Sequence, residues 1–427
     1  MKRIYLDYAA STPADKRVMA AMAPYFSEKF GNPGSLHREG QVASAAVFNA
    51  RLKIARALGC DYRETIFTAG ATEANNLALR GIMKKFEIRN SKSETRNPKF
   101  EIRNLKIIIS AIEHESIAET AADLERDGVE VAVIPVSKEG FVDLEKLKAA
   151  LDERTILVSV MYANNEVGTI QPISKIANII REYKQGKIAT QGLAMTAGGG
   201  YPLFHTDAAQ AFQYLPCRPE ELGVDLMTLS SHKIYGPKGI GMLYIKETLR
   251  QAQGINHLIT GGEQEWAMRA GTENTPYIVG FAEAIEIAEK MREKEAKRVG
   301  KLRDYFWNKI KETLRLRSGN KNNYPVSLSN CYANVELNGS VQNRLPNNLN
   351  VYFPGRKAQD LLIALDINGI AASSGSACSA HTTEPSRVIM ELGHSRERAM
   401  SSLRFTLGRQ TKRVDIDKTV SGLLKYL

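Results

Sequence analysis

A chain of 427 residues, 43% of them hydrophobic and 25% charged, is an ordinary globular protein in composition and longer than one compact core usually holds, so two domains are expected. No apolar run approaches the roughly 18 residues of a membrane span, and the opening MKRIYLDYAAST meets Asp7 before an apolar stretch develops, which argues against a membrane partner and a secretory leader. The formal net charge of +11 invites a nucleic-acid reading, but part of the excess is local: KKFEIRNSKSETRNPKFEIRN holds the hexamer KFEIRN twice and reads as a duplicated, solvated surface loop, so no nucleic-acid partner is expected.

From about residue 65 a short apolar run, a turn and a helical stretch recur. The runs are TIFTAG (65–70), LKIIISAIEH (105–114), VEVAVIPV (129–136), TILVSVMYANN (155–165), PLFHTDAA (202–209), DLMTLSSHK (225–233) and IGMLYIK (240–246). They are nearly continuous in Ile, Val and Leu, as strands buried on both faces should be. Helical stretches such as TEANNLALRGIMKK (72–85) and DLEKLKAALDE (143–153) lie between them. The alternation predicts an α/β fold with a mostly parallel seven-stranded sheet over residues 13–262. The segments 84–104 and 184–202 read as inserted loops.

Past residue 276 the texture changes. Residues 278–314 predict one long amphipathic helix, and 317–348, rich in Asn, Gly and Ser, predict turns and short strands. A strand at LNVYF, a helix at RKAQDLLIALDINGI and a strand at SSLRFTLGR complete a smaller α+β domain over residues 263–427. The four cysteines, at 60, 217, 331 and 378, show no paired spacing, so a reducing, cytoplasmic setting is expected.

In open parallel sheets, ligands bind beyond the carboxyl ends of the strands. Gly70 and Thr72 stand at the first such end, where a helix begins and its free N–H groups suit a phosphate. His114 closes the second run, Asn164 and Asn165 the fourth, Asp207 and Gln210 the fifth, and Ser230, His232 and Lys233 the sixth. Each alone is an ordinary cap or surface residue; together on one rim they suit pyridoxal phosphate (PLP). Lys233 can bind it covalently, an Asp can pair with its ring nitrogen, His114 can stack on its ring, and Thr72, Ser230 and His232 can hold its phosphate. Lys238, between Pro237 and Gly239, is the second lysine of this stretch and reads as a turn residue. Cys378 lies apart in ASSGSACSA, among small residues that offer nothing to bury it. A metal shared by Cys378 and His381 lacks nearby third and fourth ligands.

These residues sit in segments that resemble the cysteine desulfurases of the NifS/IscS type, within the class V aminotransferases of PLP fold type I. The matching stretches run nearly end to end: YLDYAASTP, FGNPGSLH, FTAGATEANNLAL, EHESI, NNEVGTIQP, HTDAAQ, SSHKIYGPKGIG, RAGTEN, SSGSACSA and SLRFTLGR. The resemblance implies PLP on Lys233, with Asp207 at the ring nitrogen, His114 over the ring, Gln210 near the phenolic oxygen and Asn165 also at the cofactor. It implies phosphate contacts from Ala71, Thr72, Ser230, Ser231 and His232, and from Thr272 of the other subunit of a homodimer. Arg404 matches the arginine that grips the substrate carboxylate, and residues 1–12 join the small domain. The implied reaction takes sulfur from L-cysteine, leaving alanine and a persulfide on Cys378 for a sulfur-acceptor protein in iron–sulfur assembly or thiolation, with Lys233 and His114 as acid–base groups. The loop is of the long type. Since the sequence stops at LLKYL, the resemblance leads one not to expect the C-terminal extension with which some relatives bind an iron–sulfur scaffold, nor that docking mode. A selenocysteine lyase or a small-amino-acid aminotransferase of the same fold is the alternative.

Overall fold

All seven apolar runs form strands in the computed structural model, which describes residues 3–92, 104–191, 200–251, 254–319, 335–375 and 384–427. After a short N-terminal strand β1 (Ile4–Tyr5) come β2 (Thr65–Thr68), β3 (Lys106–Ser110), β4 (Glu130–Ile134), β5 (Thr155–Ser159), β6 (Leu203–Asp207), β7 (Leu226–Ser230) and β8 (Gly241–Ile245). The central sheet has seven strands in the order β2-β8-β7-β6-β5-β3-β4. Only β8 runs against its neighbours, β2 and β7; the other pairs are parallel.

Successive strand residues alternate between two cores, as the period of two requires. Ile107, Ile109, Leu157 and Leu203 pack with Ala74, Leu77 and Ile82 of the helix Ala71–Lys92 and with Ile117 and Leu124 of the helix Glu115–Arg126. Ile108, Val158, Phe204 and Met227 face the other way, onto Val47 and Ile54 of the helix Arg38–Leu58, Ile176 and Ile180 of the helix Ile173–Gln191, and Phe281 and Ile285. Burial on both faces is why these runs lack polar alternation. Edge strand β4 departs from this, with Val133 exposed.

The later chain adds β9 (Glu336–Leu337), β10 (Asn348–Tyr352), β11 (Ile370–Ala371) and β12 (Ser402–Thr406). Strands β12, β10 and β9 form an antiparallel sheet, and β1 pairs in parallel with β11. Leu6 thereby joins a third core with Val351, Leu403, Phe405 and Ile416. The helix Thr275–Gly319 serves both units: Ile278, Phe281 and Ile285 pack with the large sheet, whereas Phe306, Ile310 and Leu314 pack with the small one. Its first half thus packs with the large unit, although it lies beyond residue 263.

Two expected loops are shorter than their sequence suggests. The helix Ala71–Lys92 runs into the 84–104 segment, and the helix Ile173–Gln191 into 184–202. Lys, Arg, Glu, Gln and Ile are adequate helix formers, and lengthening an existing helix adds a hydrogen bond per residue without a new nucleus. Residues 93–103 and 192–199 lie outside the described residues. Of the 317–348 stretch, the helix claims residues up to Gly319 and β9 forms at 336–337, while 320–334 lie outside.

Candidate active site

The strand ends deliver side chains to one rim. Asp207 is the last residue of β6 and Ser230 the last of β7; a single 3-10 turn, Ser231–Lys233, then carries Lys233 back over the sheet end. Lys233 Nζ donates to the carbonyls of Ala9 and Ala10 at 2.6 and 2.9 Å. The N-terminal segment crosses the rim to supply those carbonyls, and Thr12 pins it by donating backbone N–H and hydroxyl to the carbonyl of His232. Opposite, the first helical bond of Ala71–Lys92 is Ala74 N–H to the Gly70 carbonyl, so the preceding N–H groups close no bond within the helix. A cleft of about 680 Å³ opens between these parts.

Ten of the thirteen residues given a role by the resemblance line this cleft: Ala71, Thr72, His114, Asn165, Asp207, Gln210, Ser230, His232, Lys233 and Arg404. Three do not. Ser231 points into the protein, its hydroxyl so close to Gly236 that a methyl group there would sit 2.0 Å away. Thr272 is exposed and away from this chain's cleft. Cys378 lies outside the described residues. Lys238 joins the lining.

Burial and neighbouring charge tune the groups on the rim. Burial lowers the proton affinity of His114, and Asp207 opposes that only in part. His232 falls to about 4 through burial and then the cations Lys233 and Lys238. Both imidazoles are therefore neutral near pH 7. Buried Glu113 is pushed up to about 8; one carboxyl oxygen accepts from the Ser110 hydroxyl at 2.5 Å and the Met161 N–H at 2.7 Å. This carboxyl ties the loop that bears His114 to the end of β5.

The two adjacent asparagines divide their tasks. Asn164 is fully buried, accepts the N–H groups of Glu166 and Val167 and donates to the Ile112 carbonyl, which is a turn-building role. Asn165 faces the cleft, and its carbonyl accepts from Arg404 at 3.0 Å. Arg404, on β12, is 1% exposed and also pairs with Asp7 at 2.8 Å. Its backbone exchanges two hydrogen bonds with Ser373, just before the Cys378 segment. Beyond that segment, Ser386 donates to Glu166 at 2.5 Å, and Gly375 lies against the same carboxylate.

Sequence reasoning missed Asp7, Asn75 and Ser116. Asp7 stands in a motif that was already legible, but its partner lies 397 residues away. Asn75 opens the second turn of the helix Ala71–Lys92 and is wholly buried, donating to Asp207 and Ser116 at 2.8 Å each. A buried amide one turn after Thr72 was the available signal.

The donor set fits PLP: a helix N-terminus with the Thr72 and Ser230 hydroxyls and neutral His232 for a phosphate, and a carboxylate and an amine for the ring. The volume also lies in the range of small-molecule pockets.

The aminotransferase class-V family profile matches residues 4–419. The chain is 41% identical to the cysteine desulfurase IscS of Dictyoglomus turgidum over 428 aligned positions, covering 100% of this chain and 95% of that protein. It is 40% identical to the cysteine desulfurase IscS of Rickettsia felis, covering 98% and 89%. Among solved structures it resembles a NifS-like protein (TM-score 0.82, 32% identity, all of both chains) and SspA in complex with cysteine (TM-score 0.71, 30% identity, 95% of this chain and 98% of that one). With fold, cleft and relatives in agreement, the chain belongs to the aminotransferase class-V family, among its cysteine desulfurases of the NifS and IscS type.

Proposed function

We propose that the protein is a PLP-dependent cysteine desulfurase that removes sulfur from L-cysteine, releases alanine and holds the sulfur as a persulfide on Cys378. The observation that carries this reading is the gathering of Lys233, Asp207 and the helix N-terminus around one cleft, with Arg404 entering it from the small unit. PLP, when bound, supplies the electron sink that makes the α-carbon acidic and the carbon–sulfur bond cleavable.

The chain's own groups do the rest. Arg404 offers a planar guanidinium to the substrate carboxylate, a pairing that fixes orientation as well as charge. Asn165 stands beside it. Lys233, as a free amine, moves the α-proton. The Cys378 thiolate bonds to the substrate sulfur while the carbon–sulfur bond breaks; its electron pair stays with the carbon fragment, which takes up a proton and leaves as alanine. Neither described cysteine suits this task, since burial pushes the thiols of Cys60 and Cys217 up to about 12. Asp207, Gln210, Ala71, Thr72, Ser230 and His232 hold the cofactor.

A homodimer completes the proposal. Thr272, exposed and not among the residues lining its own cleft, would serve a partner's, and Phe30 and Leu36, 72% and 91% exposed in the FGNPGSLH segment, favour burial against a second copy. Among the described residues no helix is long and apolar enough to cross a membrane. The proposed enzyme works in the cytoplasm and hands its sulfur to an acceptor protein.

The test is incubation of the PLP-loaded protein with L-cysteine, followed by mass spectrometry. The expected result is one added sulfur atom mapped to Cys378, with stoichiometric alanine; both are lost in Lys233→Ala. Alanine at the normal rate from Cys378→Ser would remove that residue's role, and absence of PLP binding would remove the function.

A further inference from the structure

Asp207 reaches the cleft from the end of β6 and His114 from the start of the helix Glu115–Arg126, and two side chains, Asn75 and Ser116, join them. Asn75 Nδ2 donates one hydrogen to Asp207 Oδ2 and the other to Ser116 Oγ, both at 2.8 Å. Ser116 Oγ lies 2.9 Å from His114 Nδ1, and the Ser116 backbone N–H donates to the same nitrogen at 3.1 Å. All four groups sit at or next to the cleft, and Asn75 is 0% exposed.

The directions of these bonds follow from donor counting. Asp207, as a carboxylate, only accepts, so the Asn75 amide cannot be turned over: its oxygen would then face a carboxylate oxygen. With Asn75 donating to Ser116 Oγ, the serine hydroxyl hydrogen is left for His114 Nδ1. The backbone N–H of Ser116 also points at Nδ1, which must therefore be bare. A neutral imidazole with Nδ1 bare carries its proton on Nε2. Among the described residues no hydrogen bond is made by Nε2. Asn75 Oδ1 is buried and has no partner among the described residues, where the amide is held by its two donor bonds.

We infer that Asn75 is the positioning residue of this cleft: it holds Asp207 as an acceptor-only carboxylate and, through Ser116, holds His114 in the tautomer protonated on Nε2. The inference rests on the functional reading above and sharpens it. His114 then enters the reaction as a hydrogen-bond donor toward the cofactor and substrate, and the base that takes the α-proton is Lys233.

The tautomer is read without catalysis, by NMR of the imidazole nitrogens in cofactor-free protein labelled at histidine. In the wild type, His114 shows Nε2 protonated and Nδ1 bare. In Asn75→Ala, the ratio of the two tautomers falls by about tenfold, the usual scale of one hydrogen bond to a strongly polar group. Ser116→Ala moves the His114 signals and leaves those of His205, held apart from this chain by Ser159 and Thr228, unchanged; general loosening would move both. Melting curves establish that the variants are folded, and if Asn75→Ala is not, Ser116→Ala carries the test alone. A wild-type His114 protonated on Nδ1 overturns the inference, as do folded variants with unchanged His114 signals. Failure to bind PLP would sink the proposed function and leave the tautomer result standing.

Discussion

Gly241 packs against Gly70, which lines the cleft, and a methyl group should be costly on the first and harmless on the second. Gly241 opens β8 and is paired on one side with Thr68 and on the other with Ser230. A Cβ there would lie 2.7 Å from the Gly70 carbonyl carbon, 2.8 Å from the Leu229 oxygen and 2.9 Å from the Gly70 Cα. All three are backbone atoms, so no side chain can swing aside. Ordinary contact begins at 3.4 Å, so something must move by about 0.7 Å (3.4 minus 2.7). What moves is the turn before Thr72, or the strand that ends at Ser230, and both line the cleft. Overpacking of this kind costs about 1–3 kcal/mol. Gly241→Ala should therefore lower the melting temperature and weaken PLP binding together. A Cβ on Gly70 meets nothing within 4 Å, so Gly70→Ala should melt as the wild type does. Thermal melting and an absorbance titration with PLP decide the matter. Wild-type melting and PLP affinity in Gly241→Ala would refute the reasoning.

Three further outcomes follow from the same geometry. Arg404→Lys keeps the charge but loses the planar fork, so kcat/KM for L-cysteine should fall by roughly ten- to hundredfold, mostly through KM, in steady-state alanine assays; a variant with wild-type KM would show that the carboxylate binds elsewhere. His205 is wholly buried between the Ser159 and Thr228 hydroxyls and held down to about 4 by burial. Its proton affinity is lower in the folded state than in the unfolded one, so the stability it contributes is complete above about 6.5 and is lost as pH falls toward 4, a difference of roughly 3 kcal/mol; denaturation of His205→Gln should show a shallower acid dependence than the wild type, and equal slopes would contradict this. Finally, Cys60 and Cys217, with thiols near 12, should resist iodoacetamide at pH 8 in the folded protein and react once it is unfolded, as mapped by mass spectrometry.

Much of this protein follows from local chemistry. Strands buried on both faces must be apolar throughout, so the seven runs are visible without any knowledge of their order. Parallel strands put their carboxyl ends on one side, and a short connection can carry only a few polar residues there; His114, Asn165, Asp207 and Lys233 are legible for that reason. Other features depend on what a residue meets. The helix extensions to Lys92 and Gln191 pass through segments whose composition suits helix or loop equally. Asn164 and Asn165, like Ser230 and Ser231, are neighbours of the same type that face different surroundings, one of each pair toward the cleft and the other into the protein. The link from Asn75 to Asp207 spans 132 residues, and that from Asp7 to Arg404 spans 397. Sequence by itself determined which residue types reach the rim, because strand period and strand ends are properties of a local stretch. Only the tertiary structure decided which of them face each other and which tautomer His114 adopts, because a hydrogen-bond partner is selected by position in space.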